Sequence, residues 1–143
     1  MATDKYSHQY RRAMYSLFAT SWLTGTTFFI LNRWILAEGD FGPEKHLLQF
    51  PMLMVHGGSA FLMMFMFGVA IASHVTVNWH LKAVRRLSIF LVLAISFQMV
   101  SAYLLYYLFN EEVRDIIAIL HAIVGFTLPV LLTLHIVHAW RVR

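Results

Sequence analysis

The sequence predicts an all-α integral membrane protein. The expected fold is a four-helix up-down-up-down transmembrane bundle, one domain over residues 1–143, with both termini cytoplasmic. Three observations carry this. Of 143 residues, 59% are hydrophobic and 13% are charged, whereas a soluble domain is about half apolar and about a quarter charged. Four stretches lack Asp, Glu, Lys and Arg: Ala13 to Asn32, His46 to Leu81, Leu87 to Asn110 and Ile116 to Trp140. Each is long enough for one spanning helix of about 20 residues. The charges between them alternate in sign from one connection to the next.

The four spans are placed at about 13–36, 50–79, 87–109 and 116–140. Helices are favoured because barrel strands would alternate in polarity. The second stretch is too short for two spans and a turn, so it reads as one long helix from near Gln49 to about Trp79. Between the first two spans, Ala37 to Gln49 reads as the longest loop, with Gly39, Gly42 and Pro43. As an exposed connection it is the part best placed to touch an external partner.

Orientation follows from the ends. Lys5, Arg11, Arg12, Lys82, Arg85, Arg86, Arg141 and Arg143 share one side with a single acid, Asp4. The other side carries Arg33, Lys45 and Arg114 against Glu38, Asp40, Glu44, Glu111, Glu112 and Asp115. The positive-inside rule puts the basic side in the cytoplasm. The pI of about 9.7 is therefore a topology signal. There is no basic stripe interleaved with aromatics, so nucleic acid is not an expected partner; membrane lipid is. Trp34, Trp79 and Trp140 fall at span ends, as interfacial anchors do.

Cysteine is absent. That excludes disulfides, thiolate-held iron–sulfur clusters, zinc–cysteine sites and thioether-attached haem. Histidine is abundant, with eight residues. His8, His46 and His80 lie at or beyond span ends and read as interfacial. His56 and His74 lie on the second span; His121, His135 and His138 lie on the fourth; the first and third have none. Ionisable groups inside a span are functional candidates by default.

His56 and His74 are 18 residues apart, roughly 27 Å along a regular α-helix and on one face. His121 and His135 are 14 apart, roughly 21 Å and about 40° off one face. In an up-down-up-down bundle the second and fourth helices run parallel. His56 and His121 then approach the outer surface, and His74 and His135 the inner one. Two facing imidazoles suit the axial positions of a b-type haem iron, whose other four positions the porphyrin fills. The pattern thus predicts two non-covalent bis-His haems, with His56, His121, His74 and His135 as ligands. His138 stays the alternative to His135, since its distance from His121 matches the first spacing better while its face matches worse. Pro129 lies between His121 and His135, where it can kink the helix. Small residues beside the histidines, Gly57, Gly58, Ser59, Ala60, Gly68, Ala70, Ala72, Ala122 and Gly125, suit either close approach of a flat cofactor or tight helix packing.

The segments Val55 to Trp79, VHGGSAFLMMFMFGVAIASHVTVNW, and Leu120 to Trp140, LHAIVGFTLPVLLTLHIVHAW, both read as His, an apolar stretch, then His and a Trp five residues later. His74 with Trp79 matches His135 with Trp140, a weak parallel repeat. With these segments the chain resembles the bacterial cytochrome b561-type di-haem membrane cytochrome b superfamily. The spacing of His56 and His74 is longer than is usual there. The resemblance implies a multi-pass protein of the bacterial inner (cytoplasmic) membrane. It implies electron transfer between the quinone pool and a periplasmic or membrane redox partner protein, as a subunit of a larger respiratory or electron-transfer complex. It adds quinone as a further candidate ligand, with Gln98, Ser101, Tyr103, Tyr106 and Tyr107 as a polar and aromatic cluster that fits either a quinone or an interfacial belt. Haem propionates would seek Arg33, Lys45 or Arg114 outside and Arg11, Arg12, Lys82, Arg85 or Arg86 inside.

Two other classes compete. One is a stand-alone membrane oxidoreductase acting on a small substrate such as superoxide; the acids that outnumber bases outside disfavour anion steering. The other is a His-lined proton or metal transporter, which would ordinarily add intramembrane acids and inverted repeats. These spans hold no acid.

Overall fold

A computed structural model describes residues 8–39, 42–76 and 82–141. The expectations placed on Asp4, Lys5, Asp40, Trp79, His80 and Arg143, and on the imidazole of His74, lie outside what is described. Four helices are present among the described residues: α1 (His8–Trp34), α2 (Gln49–Ala70), α3 (Lys82–Tyr107) and α4 (Glu111–Arg141). Three of the helical segments, Gln49–Ser73, Arg85–Tyr107 and Glu111–Arg141, are long and apolar enough to cross a membrane. The segment expected to span first does form a 27-residue helix, α1. It falls outside that group of three, diluted by Ser16, Thr20, Ser21, Thr24, Gly25, Thr26 and Thr27 and by arginines near both ends.

The chain divides into two units, residues 1–73 and 74–143. In the first, α1 packs on α2. Tyr10 meets Met66, Ser21 meets His56 and Asn32 meets Gln49. The partner number falls as the α1 number rises, so the two helices are antiparallel. In the second, α3 packs on α4, and Gln98 beside Gly125 with Ser101 beside His121 gives the same sense.

The connection read as a loop is instead an antiparallel β-hairpin. Strand β1 (Leu36–Gly39) pairs with β2 (Gly42–Lys45), with Leu36 opposite Lys45 and Gly39 opposite Gly42. Gly42 has φ 121°, a conformation that glycine adopts without steric cost. Pro43 is tolerated because a two-stranded ribbon has only edges.

Helix ends follow local chemistry. The α4 helix begins at Glu111, earlier than the uncharged stretch suggested, because Asn110 caps it: the Val113 N–H donates to Asn110 Oδ1 at 3.0 Å. Glu111 and Glu112 in the first turn and His138 and Arg141 in the last suit the helix dipole. Pro51 sits in the first turn of α2, where its missing N–H is harmless. After Ala70 the second helix passes into a π-helical turn, Ile71–Val75, which contains His74. A π-turn holds more residues than an α-turn. The regular phase that set His56 and His74 on one face therefore ends at Ala70. Pro129 lies inside α4 without ending it.

Burial is inverted relative to a soluble protein. The only buried large apolar side chains among the described residues are Leu31 and Leu128, whereas Gln49, Ser59 and Ser101 are buried polar ones. Phe61, Phe65, Phe90, Leu93, Val130 and Leu134 are exposed. An apolar exterior over small and polar contacts suits helices surrounded by lipid. Hydroxyls follow the same constraint: Thr24, Thr27, Ser59, Ser73, Ser101, Thr127 and Thr133 each donate to a carbonyl three or four residues earlier.

Buried Gln49 donates from Nε2 to Asn32 Oδ1 at 2.8 Å, joining α2 to α1 near the β-hairpin. Asn32→Leu should leave that amide unmatched and lower stability by about 1 kcal/mol, between the roughly 0.6 typical inside membranes and the 1–3 of a buried orphan. An unchanged unfolding midpoint in detergent would contradict this.

Candidate functional site

His56 sits two turns into α2 and is half-buried. Its Nδ1 lies 2.8 Å from the carbonyl oxygen of Ser21 and 3.3 Å from the Ser21 hydroxyl. A carbonyl oxygen only accepts. Nδ1 therefore carries the proton, and in the neutral ring the lone pair sits on Nε2.

His121 is held at the same ring nitrogen by another kind of partner. Its Nδ1 lies 2.8 Å from Ser101 Oγ. That hydroxyl has a single hydrogen and three acceptors within reach: Phe97 O at 2.7 Å, Gln98 O at 3.2 Å and the ring nitrogen itself. With that hydrogen on Phe97 O the hydroxyl accepts from His121, the arrangement that puts the ring proton on Nδ1 and the lone pair on Nε2. Ser101 is 2% exposed, so water does not compete.

Each helical pair thus carries the same device. A serine on its leading helix holds the Nδ1–H of a histidine on its trailing helix. Anchoring one ring nitrogen fixes tautomer and ring orientation and raises the basicity of the other, which is how metal-binding histidines are prepared. Ser21 went unremarked in the sequence. It is one small residue among many in α1, and only its partner 35 positions away gives it meaning.

Gly25 is part of the arrangement. It lies one turn beyond Ser21, and a Cβ there would come within 2.7 Å of His56 Nδ1 and Cε1. Gly125, one turn beyond His121, is occupied differently: a Cβ would meet Gln98 Nε2 at 2.7 Å. Gly58 and Gly68 face open space. They are turned roughly 200° and 120° from His56 along the helix, so they make no room beside that ring.

His135 and His138 are half-buried on α4. His138 lines a cleft of about 300 Å³ with Leu87, Leu134, Val137 and Arg141, between the start of α3 and the end of α4. The polar and aromatic set on α3 is divided rather than gathered. Ser101 is buried, whereas Tyr103, Tyr106 and Tyr107 are exposed, the rings of Tyr103 and Tyr107 lying 4.7 Å apart. Gln98 Oε1 and Trp22 Nε1 are buried with no hydrogen-bond partner among the described residues. Arg12, Arg33, Lys45, Arg86 and Arg114 are exposed; Arg11 and Arg85 are half-buried.

No group of three or more His, Asp or Glu that could hold a metal ion occurs among the described residues. A porphyrin-held iron asks for only two protein donors. Taken one at a time, His56 has the chain-held Nδ1–H and Nε2 lone pair that such a donor needs, and His121 has them when the Ser101 hydroxyl turns to Phe97 O.

The two glycine environments give a paired prediction. Gly25→Ala should press on the His56 ring and lower stability by about 1–3 kcal/mol, the usual range for overpacking. Gly58→Ala should be neutral or stabilising by up to about 1 kcal/mol, since alanine is the better helix former. Detergent-phase chemical denaturation of both variants checks this, and equal effects would mean that Gly25 does not hold the ring's space.

No family model, curated protein or solved structure matches this chain.

Proposed function

We propose that the chain is a di-haem b-type cytochrome of the bacterial inner membrane, with four spans in an up-down-up-down bundle and both termini cytoplasmic. It moves electrons across the membrane between the quinone pool and a periplasmic or membrane redox partner, as a subunit of a larger complex. The observation that supports this most is the matched anchoring of His56 and His121 through Nδ1. A histidine placed only to satisfy hydrogen bonds has no need of the same tautomer in both helical pairs. A ligand does, because its Nε2 must hold a lone pair.

Bound haem supplies reversible one-electron chemistry at iron. The chain's own residues do the rest. His56 and His121 are assigned to one iron, and His74 with His135 to the other. The Ser21 carbonyl holds the His56 ring, and the Ser101 hydroxyl holds the His121 ring. Exposed cations at the helix ends, Arg33 and Arg114 among them, are suited to anionic propionates.

A dithionite-reduced minus oxidised spectrum, with a pyridine haemochrome count, should give two b-type haems per chain. His56→Ala or His121→Ala should lose one, and His74→Ala or His135→Ala the other. Retention of both in His135→Ala with loss in His138→Ala would move the inner ligand to His138. Absence of haem after expression with haem supplied would overturn the cytochrome reading and favour a His-lined transporter. Superoxide oxidation by the purified chain without a partner would instead favour a stand-alone oxidoreductase.

A further inference from the structure

The acceptors that hold the two Nδ1–H groups differ in kind. At His56 the shorter contact is a main-chain carbonyl at 2.8 Å, and the Ser21 hydroxyl is a longer one at 3.3 Å. At His121 the acceptor is the side-chain oxygen of Ser101 at 2.8 Å. We propose that Ser101 is a positioning residue that sets the tautomer and electron-donating strength of His121, whereas Ser21 does this for His56 through its backbone and its side chain is dispensable. The proposal rests on the reading of both histidines as haem ligands.

Three features make Ser101 suited to this. A carbonyl of its own helix, Phe97 O, lies 2.7 Å away to take its only proton, which leaves a lone pair for the ring. It is the most deeply buried of the buried polar residues, so no solvent molecule replaces it when it is removed. It also lies on a helix without histidine, so it can act on the iron only through His121. Donation from Nδ1–H makes an imidazole more electron-rich at Nε2. Without the acceptor, the N–H is buried and unmatched, and the ring relieves this by carrying its proton on Nε2. That tautomer has no lone pair on Nε2, the nitrogen assigned to the metal. Even where ligation persists, the ring is a weaker donor and the oxidised iron is less stabilised.

The asymmetry gives the test its own control. In the full chain without haem, ¹⁵N NMR of labelled histidine should find His121 protonated at Nδ1, and Ser101→Ala should shift it toward Nε2. In the haem-loaded chain, a potentiometric titration of Ser101→Ala should show one haem with a raised midpoint potential and the other unmoved. Ser21→Ala should leave both the His56 tautomer and both potentials as they are, because the carbonyl remains. If alanine at 101 yields no folded protein, Ser101→Cys is read in the same way, since sulfur nearly keeps the volume and accepts poorly. An unchanged His121 tautomer and unchanged potentials in the position-101 variants would overturn the proposal. So would a shift in Ser21→Ala as large as that at 101. A chain that binds no haem overturns the cytochrome reading, while the NMR comparison still decides the role of Ser101.

Discussion

An imidazole N–H between apolar helices must be met by an acceptor from the chain, because the surroundings offer none and an orphaned donor costs about 1–3 kcal/mol. Much of the local architecture can be traced to this constraint. It places Ser21 opposite His56 and Ser101 opposite His121. It requires Gly25 to be bare, since the ring that reaches the Ser21 carbonyl also fills the space above the glycine. It orients the Ser101 hydroxyl too: by returning its proton to its own helix, that group becomes an acceptor for the neighbouring one. A contact that settles hydrogen bonding thereby decides which ring nitrogen can bind a metal.

The same constraint acts on most of the other described polar groups, with Trp22 Nε1 and Gln98 Oε1 as exceptions. Serine and threonine hydroxyls turn back onto their own helices, and the side-chain amides of Asn32 and Gln49 join where α1 and α2 approach the β-hairpin. Polar and small groups occupy the helix contacts, while phenylalanine, leucine and valine face outward. In water that arrangement would be unfavourable. In lipid the exterior is solvated by hydrocarbon, and close packing with internal hydrogen bonding holds the helices together.

The two histidine-rich helices are also the two that carry a feature breaking the regular α-helical hydrogen-bond ladder. The α2 helix gives way to a π-turn around His74, and α4 lacks one ladder donor at Pro129, between His121 and His135. The sequence spacings of these histidines, 18 and 14, differ by about one helical turn. A π-turn changes the phase between successive histidines, so spacing arithmetic for a regular helix describes α2 only as far as Ala70. Such turns are frequent at functional sites, in keeping with the candidate role of His74.

Apolar runs, charge bias and histidine placement were legible from the residues alone. They found α2, α3 and α4, although α3 and α4 each start five residues earlier than expected and α2 gives way to the π-turn after Ala70, and they named the helices that bear His56, His121 and His135, because hydrophobicity and residue type are properties of each position by itself. They overstated the apolarity of the first span, whose hydroxyl-rich stretch was counted only as uncharged. They also missed the β-hairpin at Leu36–Lys45, where the sole local cue was a pair of glycines. What only the tertiary structure decided is the chemical state of the candidate ligands. Whether a histidine presents Nδ1 or Nε2 depends on an acceptor 35 residues away for His56 and 20 away for His121. No local pattern encodes that partner. It is set when two helices pack closely enough for a serine to meet an imidazole.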